Sequence, residues 1–429
     1  MKWSYNPRMR MRVLIAAWAI LPLSATVSAE KKPAAPPAEA VTVPATIDHN
    51  RVVVDIDLWL EDRSWQRVHA WVDNGNPDLE ISRHLATILG LPVSCDDKAC
   101  SAPAPAAIAI GGMTIPLDGV KEAHIPLKPV GAASVLAPGL NVEINIPASM
   151  LRRYDVLVDF PERKFSIGPP GSIHFRGSSG KAQINADNGL IQIPSQIEKK
   201  KYNLALDLGA SISFLSEEVF DKLAAAHSEW PHMTGAVGSA NMWGLEEESK
   251  WQLMRVDRVQ YGPLFLTDVA FVEFPKDRMD FFEKRAAGPT AGLIGSQVLL
   301  NYRIGLDYAH STVYFEVGRT YVFPDFEVIG LVLRPEDDGR ITILGVADLD
   351  GQPSVTTGAD GVQPGDSLVA VNDIPVRGST MGQVWAMLGG TPGQERRLKI
   401  ERSGKQFVVA ATVRHFLPEA PDKDEKKKK

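Results

Sequence analysis

Leu206-Asp207-Leu208-Gly209-Ala210-Ser211 is the stretch whose reading decides the fold. An aspartate closes the apolar run Tyr202 to Leu206, and a glycine two places on implies a tight turn with close backbone approach. The same arrangement stands 134 residues earlier, where Val68-His69-Ala70-Trp71-Val72 leads into Asp73-Asn74-Gly75. Nine residues after each aspartate comes a serine, Ser82 and Ser216, placed as an N-cap for the amphipathic segment behind it. Leu85 and Val219, then Leu89 and Leu223, recur at the same offset. A second block closes each copy: Tyr154-Asp155-Val156-Leu157-Val158-Asp159-Phe160 matches Tyr302-Arg303-Ile304-Gly305-Leu306-Asp307-Tyr308 at an offset of 148, leaving 14 extra residues in the second copy. Strand, turn, capped helix and closing hairpin repeat together, which marks an internal duplication.

The duplication has a chemical consequence. Two such turns related by a pseudo-twofold axis bring two carboxylates face to face. Like charges that close share one proton, and one pKa is pushed up. The ionised member can take a proton from a bridging water while the protonated one polarises a peptide carbonyl. Asp73 and Asp207 are the candidate catalytic pair, supported by Asn74, Gly75 and Asn76 on one turn and Leu208, Gly209, Ala210 and Ser211 on the other.

The run Leu206 to Leu215 resembles the aspartic-protease signature, hydrophobic-x-Asp-Thr/Ser-Gly-Ala-Ser. Ala291-Gly292-Leu293-Ile294-Gly295-Ser296 resembles the second signature of that family, two apolar residues and a glycine packed behind the catalytic turn, and Leu299 to Phe315 is similar to retroviral-type and bacterial aspartyl proteases. The resemblance to the pepsin/retropepsin-like group covers about 51–317 and implies a mainly β fold: two tandem aspartic-protease-like lobes, 51–170 and 181–318. It also implies a threonine after each aspartate that locks the turns across the axis. Asn74 and Leu208 hold those places, so one side can still donate and accept and the other cannot. Asn76 is placed to donate to the outer oxygen of Asp73, and Asn145-Ile146-Pro147 replaces the apolar-apolar-Gly signature in the first copy. A mobile hairpin over substrate is a further family requirement; Met233 to Gly262, with Trp243-Gly244, is the candidate flap, the alternative being that Trp243 packs on its own lobe.

From Phe326 to Val413 the chain resembles a PDZ domain, an α+β sandwich, on Ile329-Gly330-Leu331-Val332-Leu333, Gly361-Val362-Gln363-Pro364-Gly365-Asp366 and the helix Thr380 to Leu388. The resemblance implies β-augmentation by an extended or C-terminal peptide. Ile329, Gly330 and Leu331 would supply carboxylate-binding amides, with Val384 and Met387 lining the side-chain pocket.

The N-terminus reads as an export signal, 1–29. Lys2, Arg8, Arg10 and Arg12 precede the apolar run Val13 to Leu23, and Val27-Ser28-Ala29 offers a cleavage site before Glu30. The run is shorter than the ~20 residues of a bilayer span, so cleavage and a periplasmic or secreted product are expected, with no stable membrane span. Losing the leader shifts the formal net charge from −6 to −10, no basis for binding nucleic acid. Residues 30–50 read as a Pro/Ala-rich linker and 418–429 as a charged disordered tail. Cys95 and Cys100 can close a hairpin disulfide in an oxidising compartment, two free thiols being the alternative. The pair resembles the small disulfide loop that pepsin relatives place after their first catalytic turn. No metal site and no cofactor are expected, since Pro231 separates the nearest histidines, His227 and His232.

These readings point to an exported endopeptidase acting on polypeptides. A catalytically inactive protease-fold peptide binder is the alternative, favoured by Asn74, Pro77, Leu208 and Asn145. A homodimer using Asp207 alone is a third reading.

Overall fold

A computed structural model of the chain describes residues 39–59, 65–96, 99–126, 140–318, 326–349 and 351–418. The expected signal peptide, the first part of the expected linker and nearly all of the charged tail lie outside the described residues. The fold is mainly β, with 48% strand and 14% helix. No helix among the described residues is long and apolar enough to cross a membrane.

The expected linker contains a strand. Val41–Asp48 pairs with two neighbours in succession: Val41 to Pro44 lie against Lys164–Gly168, and Ala45 to Asp48 against Arg51–Trp59. Pro44 has no N–H for a ladder bond. It sits at the handover between partners, which is where a missing donor costs least. The Val/Thr/Ile alternation outweighs the Pro/Ala composition on which the tether reading rested.

The closing blocks pair directly. Asp155–Asp159 runs antiparallel to Tyr302–Asp307, with Leu157 opposite Gly305 at the centre. Those two residues are equivalent in the repeat, so the local twofold passes between them. In each copy the strand leading to the aspartate is held by a parallel partner. Val72 pairs with Ile146 in the first, and Leu206 with Ile294 in the second. Valine, isoleucine and leucine at these positions are almost wholly buried, as expected for parallel strands covered on both faces.

Ser82 caps the helix Arg83–Ile88, accepting from Leu85 N at 2.8 Å. Ser216 stands before the helix Glu217–Ala226 without a side-chain cap bond; Glu217 and Glu218 bring negative charge to that helix start instead. Cys95 and Cys100 are disulfide-bonded across adjoining strands.

The C-terminal region forms a separate six-stranded sheet in which Leu331–Pro335 is an edge strand. The helix Met381–Leu388 starts with a capping box between Thr380 and Gln383 and buries Val384, Trp385 and Leu388. Glu327–Val328 pairs with Arg414–His415, so ordered pairing runs past the expected boundary at Val413. This region shares one apolar core with Phe214 and Leu253, from the sheet whose strand leads to Asp207, and with Met242 and Trp251, from the segment between two of its strands.

Candidate active site

Both aspartates emerge at the ends of their parallel-paired strands. Asp207 N–H donates to Ile294 O at 3.1 Å, and Asp73 is in register with Pro147. Each carboxylate then lies against the backbone of the opposite turn. A Cβ on Gly75 would fall 2.0 Å from Asp207 Cγ, and one on Gly209 would fall 2.3 Å from Asp73 Oδ1. Only glycine permits that approach from either side.

The turns are also tied to each other. Asn74 Nδ2 donates to Leu206 O at 2.8 Å, and its Oδ1 accepts from Leu208 N at 2.7 Å. A single buried amide thus brackets Asp207 from the partner turn. Leu208, fully buried, has no polar group to return. Behind the second turn, Ser296 Oγ donates to Leu208 O at 3.0 Å.

The carboxylates differ in surroundings. Asp207 Oδ1 accepts from Gly209 N at 2.9 Å and Ala210 N at 3.0 Å. Burial pushes its pKa up to about 6, with those two amides and the Arg51 charge pulling the other way. Asp73 is 3% exposed. Its carboxyl is held well above the usual range, by burial first and then by the charges of Asp207 and Glu80; Asn145 and Arg51 offset part of the rise. The two backbone amides on Asp207 Oδ1 stabilise its ionised form, which favours the shared proton on the more enclosed Asp73.

Sequence reasoning placed Asn76 beside Asp73. In the structure Asn76 turns away: Nδ2 donates to Glu80 Oε1 at 3.0 Å and Oδ1 accepts from Asp78 N at 2.9 Å. Asn145 takes the position: its amide offsets part of the rise in the Asp73 pKa, its Nδ2 donates to Asp78 O at 3.0 Å and its Oδ1 accepts from Glu80 N at 2.7 Å. An Asx turn over Asn76 to Asp78 satisfies Asn76 locally, which is the usual habit of asparagine in turns.

Arg51 was not anticipated. The register that pairs Val53 with Trp71 carries Arg51 to a position across from Asp73. Its guanidinium, in a residue 4% exposed, lies 5.4 Å from the Trp71 ring centroid and donates to Met242 O at 2.7 Å. It is a buried cation felt by both carboxylates. The only sequence signal was an arginine directly before the apolar run Val52 to Val54. Trp71, Val53 and Val142 make a small apolar cluster apart from the main cores.

The segment expected as a free flap is packed down. After His232–Thr234 the chain makes two short 3-10 turns, Gly238–Ala240 and Glu246–Lys250, before the long strand Gln252–Tyr261. Trp243 stacks on Phe214 at 5.3 Å and meets Trp251 edge-on at 5.6 Å, with Arg278 over its other side at 5.5 Å. Three aromatic neighbours, Phe214, Trp251 and Phe274, hold it down, so Trp243-Gly244 do not form a projecting hairpin tip and Trp243 packs on its own side of the chain, as the alternative expectation had it. Ser211 Oγ donates to Ser239 O at 2.7 Å, which fixes the segment to the second turn.

The residues expected to bind a peptide carboxylate are likewise engaged within the chain. Ile329 N–H donates to Leu388 O at 3.0 Å and Leu331 N–H to Ile329 O at 2.8 Å. Ile329, Leu331 and Val384 are fully buried and Met387 partly so. In this conformation these groups are core and closed turn, not an open pocket.

A polar cleft of about 990 Å³, lined by residues including Ser216, Glu217, Asp221, Lys276, Asp280 and Thr290, contains neither aspartate of the pair. Among the described residues, Glu217, Asp221 and Glu273 are the carboxylates near enough to share a cation; the first two are exposed. Neither paired turn contributes a residue to that group. No family model matches the chain, and no curated protein matches it.

Proposed function

We propose that the chain is an exported aspartic endopeptidase of the pepsin/retropepsin-like kind, two protease-like lobes followed by a PDZ-like peptide-docking domain. The observation that carries the reading is the reciprocal seating of each carboxylate on the glycine of the opposite turn. An isolated Asp-x-Gly turn has no reason to leave that space for a second carboxylate. The signal-like N-terminus supports a periplasmic or secreted location.

The chemistry follows from the unequal pair. Asp207, ionised, takes a proton from water, and the water oxygen adds to the scissile carbonyl carbon. Asp73 gives its proton to the carbonyl oxygen, so a tetrahedral diol forms with both carboxyl groups having exchanged protonation states. Collapse of the diol breaks the C–N bond. The amine leaves with the proton now on Asp207, and a diol hydroxyl returns one to Asp73. Neither a covalent enzyme intermediate nor a cofactor is needed in this cycle. Because both turns belong to one chain, the Asp207-only homodimer has less support.

Cleavage of an unfolded protein, followed against pH in wild type, Asp73→Asn and Asp207→Asn, tests the reading. Loss in both variants is the expected result. Loss in Asp207→Asn alone would support the homodimer. Absence of wild-type cleavage at every pH would leave the peptide-binding alternative, which the covered state of Asp73 favours.

A further inference from the structure

Strand Leu331–Pro335 is the edge of its sheet, and its free side is already occupied from within the chain. Asn241 Nδ2 donates to Leu333 O at 3.0 Å, and Leu333 N donates to Asn241 Oδ1 at 2.9 Å. One residue thereby satisfies both the N–H and the C=O of Leu333. That is the two-bond exchange a neighbouring antiparallel strand would make. Gly244 continues the contact: with φ +66, it lies so close that a Cβ would meet Arg334 Cγ, Cα and Cβ at 3.1–3.3 Å. Thr234, just upstream, bridges to Asp348.

The amide of Asn241 is aimed by Glu248. This buried carboxylate accepts from Trp243 N at 2.7 Å and Gly244 N at 3.1 Å, and also from Asn241 Nδ2. The same segment lies over the second catalytic turn. Ser239 O and Met242 Sδ receive bonds from Ser211, and Met242 O receives one from Arg51. His49, kept neutral by burial, places Nε2 2.9 Å from Gly238 O and Nδ1 3.3 Å from Arg51. Residues 238–244 therefore touch the docking edge on one side and the Asp207 turn on the other.

We propose that residues 238–244 are a built-in occupant of this edge, and that an extended peptide adding to Leu331–Pro335 displaces Asn241 and loosens the cover on the Asp207 turn. The proposal rests on the functional reading above and supplies its regulation: edge occupancy and access to the aspartates are coupled through one short segment. The ligand it takes is a polypeptide strand, because the vacated groups are backbone N–H and C=O in strand register. The coupling is reciprocal, so whatever lifts the segment from the aspartates also opens the edge.

The test uses the purified chain and a fluorescein-labelled peptide of alternating valine and threonine with a free C-terminal carboxylate. Asn241→Ala removes the competitor, and the peptide should bind about tenfold more tightly than to wild type. On wild type, peptide binding should speed hydrogen exchange across 238–244 and at Ser211. Ser249→Cys/Gly345→Cys approaches the question from the opposite side. A Cβ at Gly345 would lie 2.7 Å from Ser249 Cβ and must spread to the roughly 3.8 Å of a disulfide, which then ties the stretch just after 238–244 to the sheet. Oxidised, this variant should lose peptide binding about tenfold and regain it on reduction. Equal affinity in all three proteins, or peptide binding to none, overturns the proposal. Neither readout depends on hydrolysis, so an inactive wild type would sink the protease reading while leaving this one standing.

Discussion

Asn74 holds the backbone on both sides of Asp207, through Leu206 O and Leu208 N, and the Leu208 side chain returns no bond to the Asn74 turn. A lock that the resemblance expects to be two-sided is made here by one amide that donates and accepts at once. Asn74→Ala leaves a buried carbonyl and a buried N–H without partners, and should cost about 2–4 kcal/mol in urea unfolding. Asn74→Asp keeps the acceptor but adds a charge beside the pair, so its deficit should grow between pH 4 and pH 8 in the same assay.

Turn packing makes a sterically sharper prediction. Gly75→Ala and Gly209→Ala each drive a methyl group into the opposite carboxylate, at 2.0 and 2.3 Å before relaxation. Both should abolish cleavage, and the loss should be of kcat more than KM if the turns separate without unfolding. Circular dichroism at matched temperature distinguishes that outcome from simple misfolding.

The rate of cleavage should depend on pH in a particular direction. The competent form has Asp207 ionised and Asp73 protonated. With Asp207 raised to about 6 and Asp73 held well above its usual value, that form grows in as pH rises through 6. Activity should therefore be greater near neutrality than at pH 4, and a kcat/KM profile with its maximum below pH 5 would contradict the assignment.

Stability should run the other way. Glu248 is lifted by burial from 4.5 to about 7, so between those values the native state keeps a proton that the unfolded chain has released. Its contribution is complete below pH 4.5 and is lost as pH rises to 7, a change on the order of 3 kcal/mol. Asp73 and Asp207 act in the same sense. Glu248→Gln, whatever its absolute stability, should show a shallower decline across this range by chemical denaturation.

What could be seen in the sequence was what repetition makes visible. The offset of 134 located both aspartates, and the donor-acceptor capacity of Asn74 was enough to anticipate half of the interlock. Arg51, Asn145 and Glu248 were not visible in that way. Each owes its importance to burial beside partners 22 or more residues from it in the chain, or to a local turn that no periodicity reports: Asn145 through Asp73, Arg51 through Met242, Glu248 through the fold of 241–244. For the flap, the sequence left open that Trp243 packs on its own lobe; the peptide-pocket expectation did not foresee closure, for a related reason. A sequence resemblance names the elements of two sites, but not that one site can be filled by the other.

The 41–48 strand carries a final consequence, for maturation. Because Val41 to Pro44 and Ala45 to Asp48 are stitched to different neighbours, this segment joins two parts of the largest sheet. Its end also reaches the C-terminal helix, where Asp48 bonds Thr380. A zymogen whose prosegment extended to residue 50 would lose an internal seam on activation, not shed an external gag. Processing that spares this seam has to stop upstream of Val41.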